Sequence, residues 1–229
     1  MRKWTARDRR GREIYLTEER WKHIVEGHEE LSEHLDDVLG TVRKGHCKQD
    51  AILPYKYTYT RRCEDLPGDF DRIVVKVISD PRATISLLPR GLIIGEGVRE
   101  VDNQYEYNYI EEADILEIFF ERGAATCAVE IADYITLRFR PEEKKAMSLI
   151  LDNVSYLIEP AEIGPRSFRL KLERISPELR QTVIELITSP PVNQFLKVSS
   201  YTRPRAKRSE PITYVERLPA LALAQKETA

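Results

Sequence analysis

Apolar positions recur at helical spacing twice near the start of the chain. Trp21, Ile24, Val25 and His28 fall on one helical face, with Thr17 placed to cap the helix and Glu18 and Glu19 in its positive first turn. Leu31, Leu35, Val38, Leu39 and Val42 form the stripe of a second helix over about residues 32–44, stopped by Gly45. A charged leader and a short strand at residues 14–16 precede them. Two strands follow, at about residues 51–61 and 70–78, joined by a turn at Leu66-Pro67-Gly68-Asp69.

From residue 105 the period shortens. Apolar runs at residues 105–109, 115–120, 126–131, 135–140 and 146–151 are separated by turn candidates at 111–114, 121–125 and 141–145, which predicts an antiparallel meander. Ser176-Pro177-Glu178 opens one added helix, with Leu179, Val183, Leu186 and Ile187 facing inward, and Pro190-Pro191 ends it. Strands at about 194–201 and 212–215 flank a basic turn at 203–208, before a polar tail. The fold class is α+β: two helices packed on a small antiparallel sheet, then a β-rich antiparallel meander with one added helix. Residues 79–104 match neither period. The chain therefore divides into a domain at 1–79, an irregular linker at 80–103 with the character of a frameshift product, and a β-rich domain with a C-terminal extension at 104–229.

Composition narrows the function classes. With 41% hydrophobic and 32% charged residues and a net charge of −2 over 229 residues, the chain can build a core. Basic and acidic residues number 18 and 17 up to residue 97, and 18 and 21 after it, so neither part is a polycationic nucleic-acid binder and any RNA contact is local. Cys47, Cys63 and Cys127 lack metal-ligand spacing, which argues for a reducing compartment and against structural zinc. The basic start lacks an apolar signal core, and no run approaches the ~20 apolar residues of a membrane span. A cytoplasmic protein without metal or other cofactor is expected.

All four histidines, His23, His28, His34 and His46, lie in one short stretch. Imidazole suits proton transfer near neutral pH, so acid–base chemistry is expected there. Cleavage of RNA without metal uses the substrate's own 2′-hydroxyl, and needs from the protein a base, an acid and a cation for the charge growing on the phosphate. His28 is the favoured proton carrier with His23 second; five residues apart, they point about 140° away from each other on a regular helix. Lys76, in an apolar strand, and Arg61 are the candidate cations; Tyr59 and Arg62 are candidate substrate contacts, Tyr59 by stacking a base. The competing reading is structural: histidines satisfied by Glu19 or Glu26, Lys76 an exposed strand lysine, and Tyr55, Tyr57 and Tyr59 ordinary sheet packing.

The run from Ile14 through Trp21, His23, Ile24 and His28 to Leu31, followed by Val38–Val42, Tyr59–Arg61 and Ile73–Lys76, resembles the phage-associated nucleases of the barnase, EndoU, colicin and RelE-like (BECR) fold. That resemblance implies metal-independent endoribonuclease chemistry of a prokaryotic toxin or mobile-element enzyme, with the family's last strand missing, a loss that exposes a sheet edge, removes whatever groups that strand brings to the site, and so argues for an inactive domain. The segment from Tyr107 through Glu130–Asp133 to Ser155 resembles the family called domain of unknown function 2283, which implies an antitoxin or accessory role. Together they imply RNA as partner of the first part, contact between the two parts or with a cognate toxin or antitoxin, and no membrane. The alternative is a non-catalytic binding protein of such a locus.

Overall fold

The charged leader is a strand. In the computed structural model, which describes residues 2–78, 98–101, 104–162, 164–202, 208–216 and 218–219, Lys3–Arg7 (β1) pairs antiparallel with Glu13–Thr17 (β2). Asp8 shapes the turn between them by accepting the backbone N–H groups of Arg10 and Arg12, each at 2.9 Å. Of β1 only Ala6 is fully buried, which is why its composition reads as a solvated leader. Thr17 then accepts the Arg20 N–H at 3.3 Å and starts α1 (Glu18–Gly27).

The second helix, α2 (Leu35–Lys44), starts three residues later than its stripe predicts, because Glu29–Leu31 forms a 3₁₀ turn. It carries acidic residues in its first turn and basic residues in its last, and ends at Gly45. It lies against β1 and against β4 and β5 of a three-stranded antiparallel sheet, while α1 packs on β2. The sheet runs β3 (His46–Gln49), β4 (Lys56–Arg62), β5 (Arg72–Ile78). The strand expected from residue 51 begins at Lys56, since Asp50 accepts the N–H groups of Ile52 (2.8 Å) and Leu53 (3.0 Å) and holds this stretch as a turn. Tyr59, Ile73, Val75 and Val77 face the helices. By strand alternation Lys48, Thr58 and Lys76 share the opposite face.

The second part is β6 (Val98–Val101), β7 (Glu106–Ile110), β8 (Ile115–Phe119), β9 (Cys127–Ala132), β10 (Ile135–Arg140), β11 (Lys145–Asp152), α3 (Val154–Ile158), β12 (Phe168–Arg169), α4 (Pro177–Thr188), β13 (Leu196–Tyr201) and β14 (Glu210–Val215). The large sheet has the order β6-β7-β8-β11-β10-β9, not that of a plain meander. All of β11 after Lys145 is buried, so it takes a central place, whereas β9 carries exposed Glu130 and takes an edge. One face of the sheet meets α4 and the small sheet β12-β14-β13, through residues such as Leu137, Leu149, Val183 and Phe195. From the other, Ile115 and Ile150 join the core of the first part with Ile24, Leu31 and Val75. The fold is thus α+β with a β-rich C-terminal part. The linker expected at 80–103, the basic turn at 203–208 and the tail lie largely outside the described residues. Among the described residues no helix is long and apolar enough to cross a membrane.

Candidate functional site

The sheet face turned toward the first part carries charge among its isoleucines. Strand alternation puts Glu117 (β8), Arg138 (β10), and Ser148 and Asp152 (β11) on that face. Arg138 reaches across: its Nη2 donates to Glu30 Oε1 at 2.6 Å and its Nη1 to Glu117 Oε1 at 3.2 Å, and the Ser148 hydroxyl donates to the same Glu117 oxygen at 2.7 Å. His28, freed from α1 where the backbone leaves the helical region, enters this cluster 2% exposed. Its Nδ1 lies 3.5 Å from Glu30 Oε1 and its Nε2 lies 3.6 Å from Glu117 Oε2, ion-pair rather than hydrogen-bond distances. Its Nδ1, Glu30 Oε2 and Glu117 Oε2 have no hydrogen-bond partner among the described residues.

Burial alone would raise both carboxyl groups. For Glu30, Arg138 and then His28 overcome burial and bring its pKa down to about 2; for Glu117, His28 and then Arg138 lower it.

A second buried cluster lies further along β11. Lys56 donates to the carbonyl of Ala113 at 2.7 Å, to Asn153 Oδ1 at 3.1 Å and to Asp152, and Lys76 donates to the other oxygen of Asp152. One carboxylate thus serves two ammonium groups. Burial pushes Lys56 down to about 8; burial, and then the neighbouring Lys56, push Lys76 well below the ordinary lysine value.

Beside Lys76 a cleft of about 430 Å³ opens between the two sheets. Lys48, Thr58 and Lys76 form one row across β3, β4 and β5, and Arg72 stands at its rim. The opposite wall is Val129, Thr136 and Ile150 of the large sheet, and Tyr134 and Arg174 also line the cleft. Cations and hydroxyls on one side of a partly apolar slot are the groups that receive phosphate oxygens.

The sequence-selected residues part company here. His28 and Lys76 both reach carboxylates of the large sheet, but in separate clusters, and His28 does not line the cleft. His23 is half-exposed and pairs with Glu26 at 3.3 Å. Arg61 lies on the other face of its sheet, where Nη2 donates to Asp37 Oδ1 on α2 at 2.7 Å. Arg62 is 83% exposed beside Asp71. Tyr59 is buried, its hydroxyl donating to Asp8 and accepting from Arg12, both at 2.8 Å, so its ring does not stack on a ligand. His34 pairs with Asp37, and His46 is exposed.

Lys56, Glu30, Glu117, Arg138 and Asp152 do not stand out as site residues in the sequence. Glu117 and Arg138 had a signal: each is a lone charge inside an apolar run, a position where charge is rare unless paired. Lys56 had none until the register placed it beside the Lys76 row. No group of three or more His, Cys, Asp or Glu side chains among the described residues is placed to hold a metal ion. The chain matches no protein-family model, no curated protein and no solved structure.

Proposed function

We propose that the first part is a toxin-like, RNA-directed domain of the BECR type, two helices on a small antiparallel sheet, and that the second part is its accessory or antitoxin domain, seated on the working face. The observation that carries this is that His28 and Lys76, from two different elements, both end on carboxylates of one sheet of the second part, Glu117 and Asp152. A carboxylate between Lys56 and Lys76 offers those ammonium groups what a phosphate would: oxygens and negative charge. With the face open, His28 moves the proton of the 2′-hydroxyl or of the leaving oxygen, and Lys76 steadies the charge on the phosphate. Arg61 and His23 have no part in this chemistry, and Arg61 serves to hold β4 to α2.

The covered chain is inactive. Incubation with total RNA in the presence of a chelator is expected to give no cleavage by the intact chain and cleavage by Asp152→Ala, abolished again by adding His28→Ala or Lys76→Ala. A folded Asp152→Ala protein that leaves RNA intact would remove the nuclease reading.

A second reading, a non-catalytic binding protein, is favoured by one observation: His28 and Lys76 sit in separate clusters with no common opening among the described residues. Its mark is RNA binding by Asp152→Ala without cleavage.

A further inference from the structure

We infer that the cleft between the two sheets is a binding site for a nucleoside monophosphate, built jointly by both parts of the chain. This goes beyond the nuclease reading, since it requires the parts to be together and requires no cleavage.

The cleft has donors to spare and acceptors already used. Of its three carboxylates, Asp50 accepts the backbone N–H groups of Ile52 and Leu53, Glu130 is held by Lys171 at 2.8 Å, and Asp152 by Lys56 and Lys76. By contrast Lys48 and Arg174 have no ion-pair partner among the described residues, and the hydroxyls of Thr58 and Thr60 make no side-chain hydrogen bond there. A site in this condition favours a ligand rich in acceptor oxygens and negative charge.

Geometry refines the class. Lys48 and Thr58 are cross-strand neighbours roughly 4.8 Å apart, within reach of the oxygens of one phosphate, while Lys76, next in the row, is held by Asp152. The rest of the lining is partly apolar: Val74 lies between Arg72 and Lys76 on one face of β5, and Val129, Ile150 and Ile175 come from the second part. Tyr134 also lines the cleft, at the tip of the β9–β10 hairpin with φ +66°, a conformation rare for a non-glycine residue, and its ring makes an edge contact with Tyr156 at 5.8 Å between centroids. Such a slot accepts a flat, weakly polar ring. A phosphate on the Lys48–Thr58 pair and a planar ring against the apolar residues describe a nucleotide, and about 430 Å³ lies within the range of small-ligand sites.

The test is titration calorimetry of the full chain in phosphate-free buffer at low salt, with 5′-AMP, 5′-GMP, 5′-CMP and 5′-UMP, and with adenosine, ribose 5-phosphate and inorganic phosphate. At least one monophosphate is expected to bind with 1:1 saturation, at least tenfold more tightly than adenosine or inorganic phosphate. Lys48→Ala with Arg174→Ala, two exposed positions, is expected to weaken it at least tenfold, while Lys22→Ala with Lys44→Ala, outside the cleft, leaves it unchanged. Tyr134→Gly, which suits the backbone there, should bring the nucleotide within threefold of ribose 5-phosphate. Absence of saturable binding, affinity no better than for inorganic phosphate, or indifference to the Lys48/Arg174 change overturns the assignment.

Discussion

Lys76 of β5 ends on the carboxylate of Asp152 of β11, joining residues 76 positions apart. Lys56 shares that carboxylate, so removing it leaves two buried ammonium groups without a counter-ion at contact distance. Asp152→Ala is expected to lower stability by about 3–5 kcal/mol, the usual cost of breaking a buried pair from one side. Asp152→Asn keeps an acceptor and loses less. Urea unfolding of both variants beside the parent checks this, and equal losses would show that charge at this position is immaterial.

Acid should loosen the molecule through Glu30. Its folded pKa of about 2 lies below the ordinary 4.5, so its stabilisation is complete above pH 4.5 and vanishes as pH falls through 4.5 toward 2. The depression corresponds to about 3 kcal/mol at full effect. Glu117 shifts in the same direction and adds to the slope. Urea midpoints measured between pH 6 and pH 3 should fall, and fall less steeply in Glu30→Gln.

Gly68 tests the contact at the other end of the seam. Its φ is +63°, and a Cβ there would lie 2.6 Å from the Thr126 carbonyl oxygen, the same oxygen that accepts the Asp69 N–H at 2.8 Å. Gly68→Ala is expected to cost about 1–3 kcal/mol. Faster hydrogen exchange at the Asp69 amide is the direct readout, and an unchanged rate would argue against close approach.

Much of the fold was legible in sequence because most elements announce themselves by period. Thr17 as a cap, Gly45 as a stop, and the runs at 115–120 and 135–140 match β8, β10 and the helix ends closely. What period cannot convey is order: β11 lies between β8 and β10 because both its faces are buried, a fact set by tertiary packing. The site was harder still. Lys76 was visible as a cation in an apolar strand, yet its partner lies in another part of the chain, and Arg61, two residues after Tyr59, shares that tyrosine's face and so points away from Lys76.

Arg61→Ala separates these faces experimentally. It removes a half-buried pair with Asp37, and a loss of about 1 kcal/mol is expected. Anion binding in the cleft should stay within twofold of the parent. His23→Ala, at a half-exposed position, should change stability by less than about 0.5 kcal/mol. A large fall in ligand affinity in either variant would place these residues nearer the cleft than the fold does.

On the face of the large sheet that meets the first part, Ile115 and Phe119 flank Glu117, and Ser148 and Asp152 flank Ile150. Each greasy spot is thus interrupted by a hydrophilic neighbour. A detached second part would present water with a chequered surface instead of a continuous oily one, and would resist sticking to its own copies. The same alternation that fits the second part to the first therefore keeps that face from being uniformly oily.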